Sequence, residues 1–124
     1  MARLSIRIDL GPDNRLGPGK VQLLEMIAAH GSISAAGRAL GMSYRRAWLL
    51  VEALNTGFGQ PLVEAQVGGK AGGGARLSPF GVDVVASYRA IEQAAETAAA
   101  PFLARLSAEP DPAARPRPRA RAQG

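Results

Sequence analysis

Gly31-Ser32-Ile33-Ser34-Ala35-Ala36-Gly37-Arg38-Ala39-Leu40-Gly41-Met42-Ser43-Tyr44-Arg45-Arg46-Ala47-Trp48 is the stretch that decides the fold. Ser32 or Ser34 offers a side-chain oxygen to cap a short helix running through Leu40. Gly41 falls where a tight turn between two helices needs a positive φ, which glycine adopts with least strain. Ser43 is a natural N-cap for the next helix, predicted from Tyr44 to about Asn55, with Ala47, Leu50 (or Val51) and Leu54 on its buried face. Two short helices joined by a glycine-containing turn are the helix-turn-helix pattern.

Working outward, Leu4, Ile6, Ile8 and Leu10 alternate with polar residues, the period of a half-buried strand. Gly11-Pro12-Asp13-Asn14 then marks a turn. Between Gly19 and His30 the spacing of Val21, Leu24, Ile27 and Ala28 predicts an amphipathic helix, which Gly31 stops. Downstream, Leu62 to Val67 reads as a strand, Gly68-Gly69-Lys70-Ala71-Gly72-Gly73-Gly74 as a flexible loop, and Ala75-Arg76-Leu77 as the returning strand of a hairpin. Ser78-Pro79 opens a long helix, serine as cap and proline at the first helical position. Its residues Val84, Tyr88, Ile91, Ala95, Ala98 and Phe102 alternate steps of four and three, a short heptad seam suited to dimerisation. Pro101 is expected to bend or interrupt it.

The predicted fold is mainly α with a small β wing: a winged helix-turn-helix with a long C-terminal dimerisation helix. Residues 1–78 form the DNA-binding domain in this reading, 79–108 the dimerisation helix of the same domain, and 109–124 a disordered Pro/Arg-rich tail.

Composition bounds the class. The 124 residues fit one domain, and 47% are hydrophobic but only 5% aromatic, so Leu, Val, Ile and Ala must build the core. No apolar run approaches the roughly 20 residues needed to cross a bilayer, and the N-terminus lacks the apolar block of a signal peptide. A cytoplasmic protein without membrane contact is expected. The absence of cysteine excludes disulfides and thiolate metal sites. The net charge of +5 and the pI near 10.7 suit a polyanionic partner. The tail accounts for two of those charges, with Arg115, Arg117, Arg119 and Arg121 set against Glu109 and Asp111.

In a winged helix the second helix of the pair enters the major groove N-terminal end first. Here that end reads Ser43-Tyr44-Arg45-Arg46. Arginine presents a planar fork that bonds guanine O6 and N7 together, or grips phosphate. The glycine-rich loop fails as a nucleotide-enzyme loop, because the G-x-x-x-x-G-K-[ST] spacing is missing and no helix follows directly. As a wing it makes sense: Gly68, Gly69, Gly72, Gly73 and Gly74 bring backbone close to phosphates while Lys70 and Arg76 neutralise charge. The candidate DNA contacts are therefore Ser32, Ser34, Ser43, Tyr44, Arg45, Arg46, Lys70 and Arg76. Trp48 reads as a packing residue on the same helix. His30 stands alone at a helix end and no carboxylates cluster, so no metal, no cofactor and no enzymatic constellation is predicted.

Gly31-Ser32-Ile33-Ser34, Ala36, the run Leu40 to Trp48, and Leu54-Asn55 resemble the helix-turn-helix of ModE, the molybdate-responsive transcriptional regulators. Leu62-Val63-Glu64, the glycine-rich run through Ala75, and Leu77 resemble the strand, wing and return strand of the same N-terminal domain, so the resemblance covers roughly residues 4 to 106. It implies a LysR-like reader of double-stranded DNA that binds its operator as a homodimer and controls genes for molybdate uptake or molybdoenzymes. Full-length members sense molybdate through C-terminal β-barrel domains, and this chain is expected to lack them and to sense no oxyanion itself. The alternative is an interaction module that forms a heterodimer with a full-length ModE-type regulator and modulates it.

Overall fold

A computed structural model describes residues 2–66 and 74–108. In chain order the elements are β1 (Ile8–Gly11), β2 (Asn14–Leu16), α1 (Pro18–His30), α2 (Ile33–Ala39), α3 (Tyr44–Phe58), β3 (Val63–Gln66), β4 (Gly74–Leu77) and α4 (Pro79–Leu106). The predicted tail and most of the predicted wing loop, Gly68, Gly69, Lys70, Gly72 and Gly73, lie outside the described residues.

Serine caps start three of the helices. Ser32 Oγ accepts from the Ala35 amide at 3.0 Å, which selects it over Ser34 as the cap of α2. Ser43 Oγ accepts from the Arg46 amide at 3.1 Å, and Ser78 Oγ from the Gly81 amide at 2.9 Å. Each bond satisfies a first-turn amide that has no partner within its own helix. Between α2 and α3 the chain turns at Gly41, whose φ of 72° is the left-handed value expected there. α1 ends at Gly31, whose amide bonds the Ile27 carbonyl at 2.8 Å.

The strands differ from the sequence expectation. β1 covers only the end of the alternating stretch, and it pairs antiparallel with an unpredicted β2, Ile8 opposite Leu16 and Asp9 opposite Arg15. β3 and β4 form the second antiparallel pair, Val63 opposite Leu77 through Gln66 opposite Gly74. Gly74 is therefore a strand residue and not part of the loop. Its neighbour Ala75 donates to the Gly31 carbonyl at 2.9 Å, which seats the root of the wing on the end of α1.

The core lies where the three short helices meet the hairpins and the start of α4. Val21, Leu23, Leu24 and Ile27 of α1 pack with Ala36, Ala47, Val51, Leu54, Leu62 and Ala75. Val51, not Leu50, completes the buried face of α3, and Ala28 is exposed. Asn55 Oδ1 accepts from the Leu62 amide at 2.8 Å, fixing the crossing from α3 into β3.

α4 enters this core and then leaves it. Val84 and Tyr88, both read as seam residues, are buried in the chain's own core, so they are not free to meet a partner. The spacing was correct but the surface they cover is internal. Beyond them the helix continues without a break through Pro101, which leaves the Thr97 carbonyl without its usual donor at an exposed site where water can serve.

Where α4 leaves, Arg89 ties it to α1. Its Nη2 and Nε donate to the two oxygens of Glu25 at 2.7 and 2.9 Å, and Nη1 donates to Glu92 at 2.7 Å. The hydrogen bonds from Arg89 hold the Glu25 carboxyl below its ordinary range, with burial opposing them and losing. A depressed folded pKa means stability that is present above the unfolded carboxylate range and lost as pH falls through the folded value. Both side chains are about a third open to water, so the contribution stays below about 1 kcal/mol. Thermal melts from pH 7 to pH 3 should show Glu25→Gln slightly less stable than wild type at neutral pH, with the difference shrinking as the acid limb is entered. A difference independent of pH would assign the loss to packing.

Candidate nucleic-acid interface

α3 presents its faces in a fixed order because successive residues are about 100° apart around a helix. Ala47, Val51 and Leu54 face inward. Arg45 and Leu49 therefore point straight away from the core, with Tyr44 and Trp48 on one flank and Arg46 and Leu50 on the other. Tyr44 is 56% exposed and Trp48 42%, so the sequence reading of Trp48 as a packing residue is corrected: it stands one turn beyond Tyr44 on the outer surface. Glu52, a further turn on, is also exposed and places a negative charge there. The cationic part of α3 is thus confined to its first turn.

Around that turn the other predicted residues gather on the Tyr44 flank. Ser32, Ser34, Tyr44, Gly74 and Ala75 line a depression of about 250 Å³ between the start of α2, the start of α3 and the root of β4. Ser32 and Ser43 use their oxygens as helix caps, yet each hydroxyl keeps its proton for donation. Ser34 Oγ accepts from Arg38 Nη1 at 3.1 Å. On β4, Arg76 lies opposite Glu64 of β3, and its Nε is 3.6 Å from that carboxylate, an exposed and loose pair. Arg45 and Arg46 have no ion-pair partner among the described residues. Lys70 lies outside those residues.

This arrangement can donate hydrogen bonds and offer positive charge, and the amino end of α3 adds its dipole in the same direction. Among the described residues no group of three or more His, Asp or Glu could hold a metal ion. No helix there is long and apolar enough to cross a membrane. Trp48 and Arg38, both exposed near this surface, were not among the residues predicted for it. The signal for Trp48 was available in its four-residue spacing from Tyr44.

Comparison with known proteins agrees with this architecture. Residues 19–82 match the family described as "Bacterial regulatory helix-turn-helix protein, lysR family". The chain is 45% identical over 96 residues to "Molybdenum-pterin-binding protein MopB" of Rhodobacter capsulatus, covering 77% of this chain and 36% of the relative. It is 38% identical over 92 residues to "Molybdenum transport protein ModE" of Azotobacter vinelandii, covering 74% and 33%. It is also 38% identical over 76 residues to the "DNA-binding transcriptional dual regulator ModE" of Escherichia coli K12, covering 61% and 29%. The chain thus spans about a third of the length of the curated relatives it matches. Among solved structures, the one titled "Crystal structure of CbnR_DBD-DNA complex" superposes with a TM-score of 0.55 at 20% identity, covering 71% of this chain and 95% of that one. That likeness establishes the winged helix-turn-helix fold. The chain belongs to the lysR family of bacterial regulatory helix-turn-helix proteins, with ModE-type molybdenum regulators among its relatives.

Proposed function

We propose that this regulator binds an inverted-repeat operator as a homodimer and controls genes for molybdenum uptake or molybdoenzymes. The observation that carries the DNA reading is the first turn of α3, where Tyr44, Arg45 and Arg46 stand clear of the core beside the capped start of α2 and the root of the wing. A helix presented this way enters the major groove with its basic end, while the flanking hydroxyls, Arg76 and Lys70 meet phosphates. Relatives named for molybdenum-pterin binding and for molybdenum transport support the molybdenum role. Residues 1–78 act as the reader and 79–108 as the dimerisation helix.

The dimer is supported by the outer half of α4. Ile91 is 46% exposed, Phe102 58% and Leu106 81% among the described residues. Ala95 and Ala98 lie between them and allow a second helix to approach closely. The seam so defined begins at Ile91, seven residues later than Val84.

Ile91→Glu with Phe102→Glu should convert a dimer to a monomer in sedimentation experiments while the melting temperature changes little, and affinity for a two-half-site operator should fall with it. Genome-wide mapping of bound sites, with and without molybdate, should recover inverted repeats upstream of molybdenum genes. Absence of any such repeat would overturn the proposal. Binding only in the presence of a longer relative would favour the heterodimer instead.

A further inference from the structure

The DNA reading above uses the flank of α3 that carries Tyr44 and faces the wing. The opposite flank is also basic. Arg46 lines a depression of about 390 Å³ together with Arg7, Arg15 and Lys20, with Met42 and Leu50 as apolar parts of its wall. The four cations come from four places in the chain: the residue before β1, the middle of β2, the first turn of α1 and the first turn of α3. Among the described residues no carboxylate lines this depression.

Asp9 pairs with Arg7 Nε at 3.4 Å and with Arg15 Nε at 3.6 Å, in each case between side chains about 60% open to water. Single-point pairs of that length and exposure are weak and give way to a stronger anion. Lys20 Nζ donates to the Arg15 carbonyl at 2.9 Å, which fixes the ammonium beside the arginines. α1 has no acidic residue in its first turn, and Gly17 gives it no side-chain cap, so the positive end of its dipole reinforces the same field.

We propose that Arg7, Arg15, Lys20 and Arg46 form a second DNA-backbone surface, gripping the phosphate strand on the side of α3 away from the wing. The proposal rests on α3 being the helix that enters the groove. The major groove is about 12 Å wide, and a helix with its side chains is about 10–12 Å across. A helix seated there has a phosphate strand along each flank. The start of α2 and the β3–β4 hairpin meet one strand, and the β1–β2 hairpin and the start of α1 meet the other. Arg46 belongs to both α3 and the cluster, so the basic surface is continuous from the groove to the backbone. Arginine forks suit phosphate oxygens in this role.

The test uses the full chain with Arg7→Gln/Arg15→Gln/Lys20→Gln, with Arg7→Gln alone, and with Arg45→Ala. Each is titrated against operator and against unrelated duplex between 50 and 200 mM salt. A phosphate contact contributes about 0.9 to the slope of log affinity on log salt. The triple variant should lose about two to three units of slope, and Arg7→Gln about one, equally on both DNAs. Among the described residues Arg7 forms an ion pair only with the exposed Asp9, so the single variant should keep the fold. Wild-type slopes in both variants would overturn the proposal, and so would weakened binding with an unchanged slope, which marks a structural role. Arg45→Ala should keep the slope and lose operator preference, and that result upholds α3 as the reader whatever the cluster does. A wild-type chain that binds no duplex would overturn both readings together.

Discussion

Replacing Arg45 and Arg46 together with alanine should weaken operator binding by about 2–4 kcal/mol, a loss of roughly 30- to 1,000-fold. The two residues should contribute in different ways because they leave α3 in different directions. Arg45 points directly away from Ala47, Val51 and Leu54, toward the floor of a groove that receives the helix. A bidentate bond to guanine there is worth about 1–3 kcal/mol of discrimination. Arg45→Ala should therefore cost most against operator and little against unrelated DNA. Arg46 lies on the flank and lines the basic depression. Arg46→Ala should weaken both DNAs alike and lower the salt slope by about one unit. Neither side chain packs in the core, so circular dichroism and melting should match wild type. A folded double variant with unchanged operator affinity would remove α3 from the interface.

Gly81→Ala should be the most damaging single-methyl change to stability. A Cβ built at Gly81 would lie 2.2 Å from the Leu62 carbonyl oxygen and 3.0 Å from its carbon. Those are backbone atoms, and the same carbonyl accepts from the Ser78 amide at 2.8 Å while Ser78 Oγ donates to the Pro61 carbonyl at 2.7 Å. The first turn of α4 is thus pressed onto the approach to β3, and a methyl must push the two apart. Overpacking of this kind costs about 3 kcal/mol, a fall in melting temperature on the order of 10 °C for a chain of this size. Gly19→Ala provides the contrast. It sits in the first turn of α1 with nothing within 4 Å of its Cβ position. That change should be neutral or stabilising by up to about 1 kcal/mol. Equal melting temperatures for the two variants would contradict the close approach at Gly81.

The helix-turn-helix was legible because its signals are local. A serine cap acts across three residues and a glycine turn within one, so Ser43 and Gly41 declare themselves without the rest of the chain. β2 was not legible, since the three residues Asn14 to Leu16 are too few to display a period. Trp48 was misread because hydrophobicity argues for the core while helical phase argues for the surface, and phase prevailed. Val84 and Tyr88 carry the right spacing for a seam, but spacing cannot say whether a stripe meets another chain or the chain's own core. The basic cluster was invisible for a different reason. Arg7, Arg15, Lys20 and Arg46 are brought together only by tertiary packing, and each alone reads as an ordinary solvated charge.

α4 has a consequence for how two copies would share one operator. Its beginning is clamped by Val84, by Tyr88, whose hydroxyl donates to the Ile6 carbonyl, and by the Arg89–Glu25 pair. Its remaining turns, about 27 Å long at 1.5 Å per residue, stay helical across Pro101. The reader and the root of the arm are consequently held as one body. In the proposed dimer the distance and the angle between the two recognition helices are set by that body, as the jaws of a fixed-gap gauge are set by its frame. An operator with altered half-site spacing is then expected to bend or retwist its own duplex to be bound, because the clamp at the root of the arm resists following it.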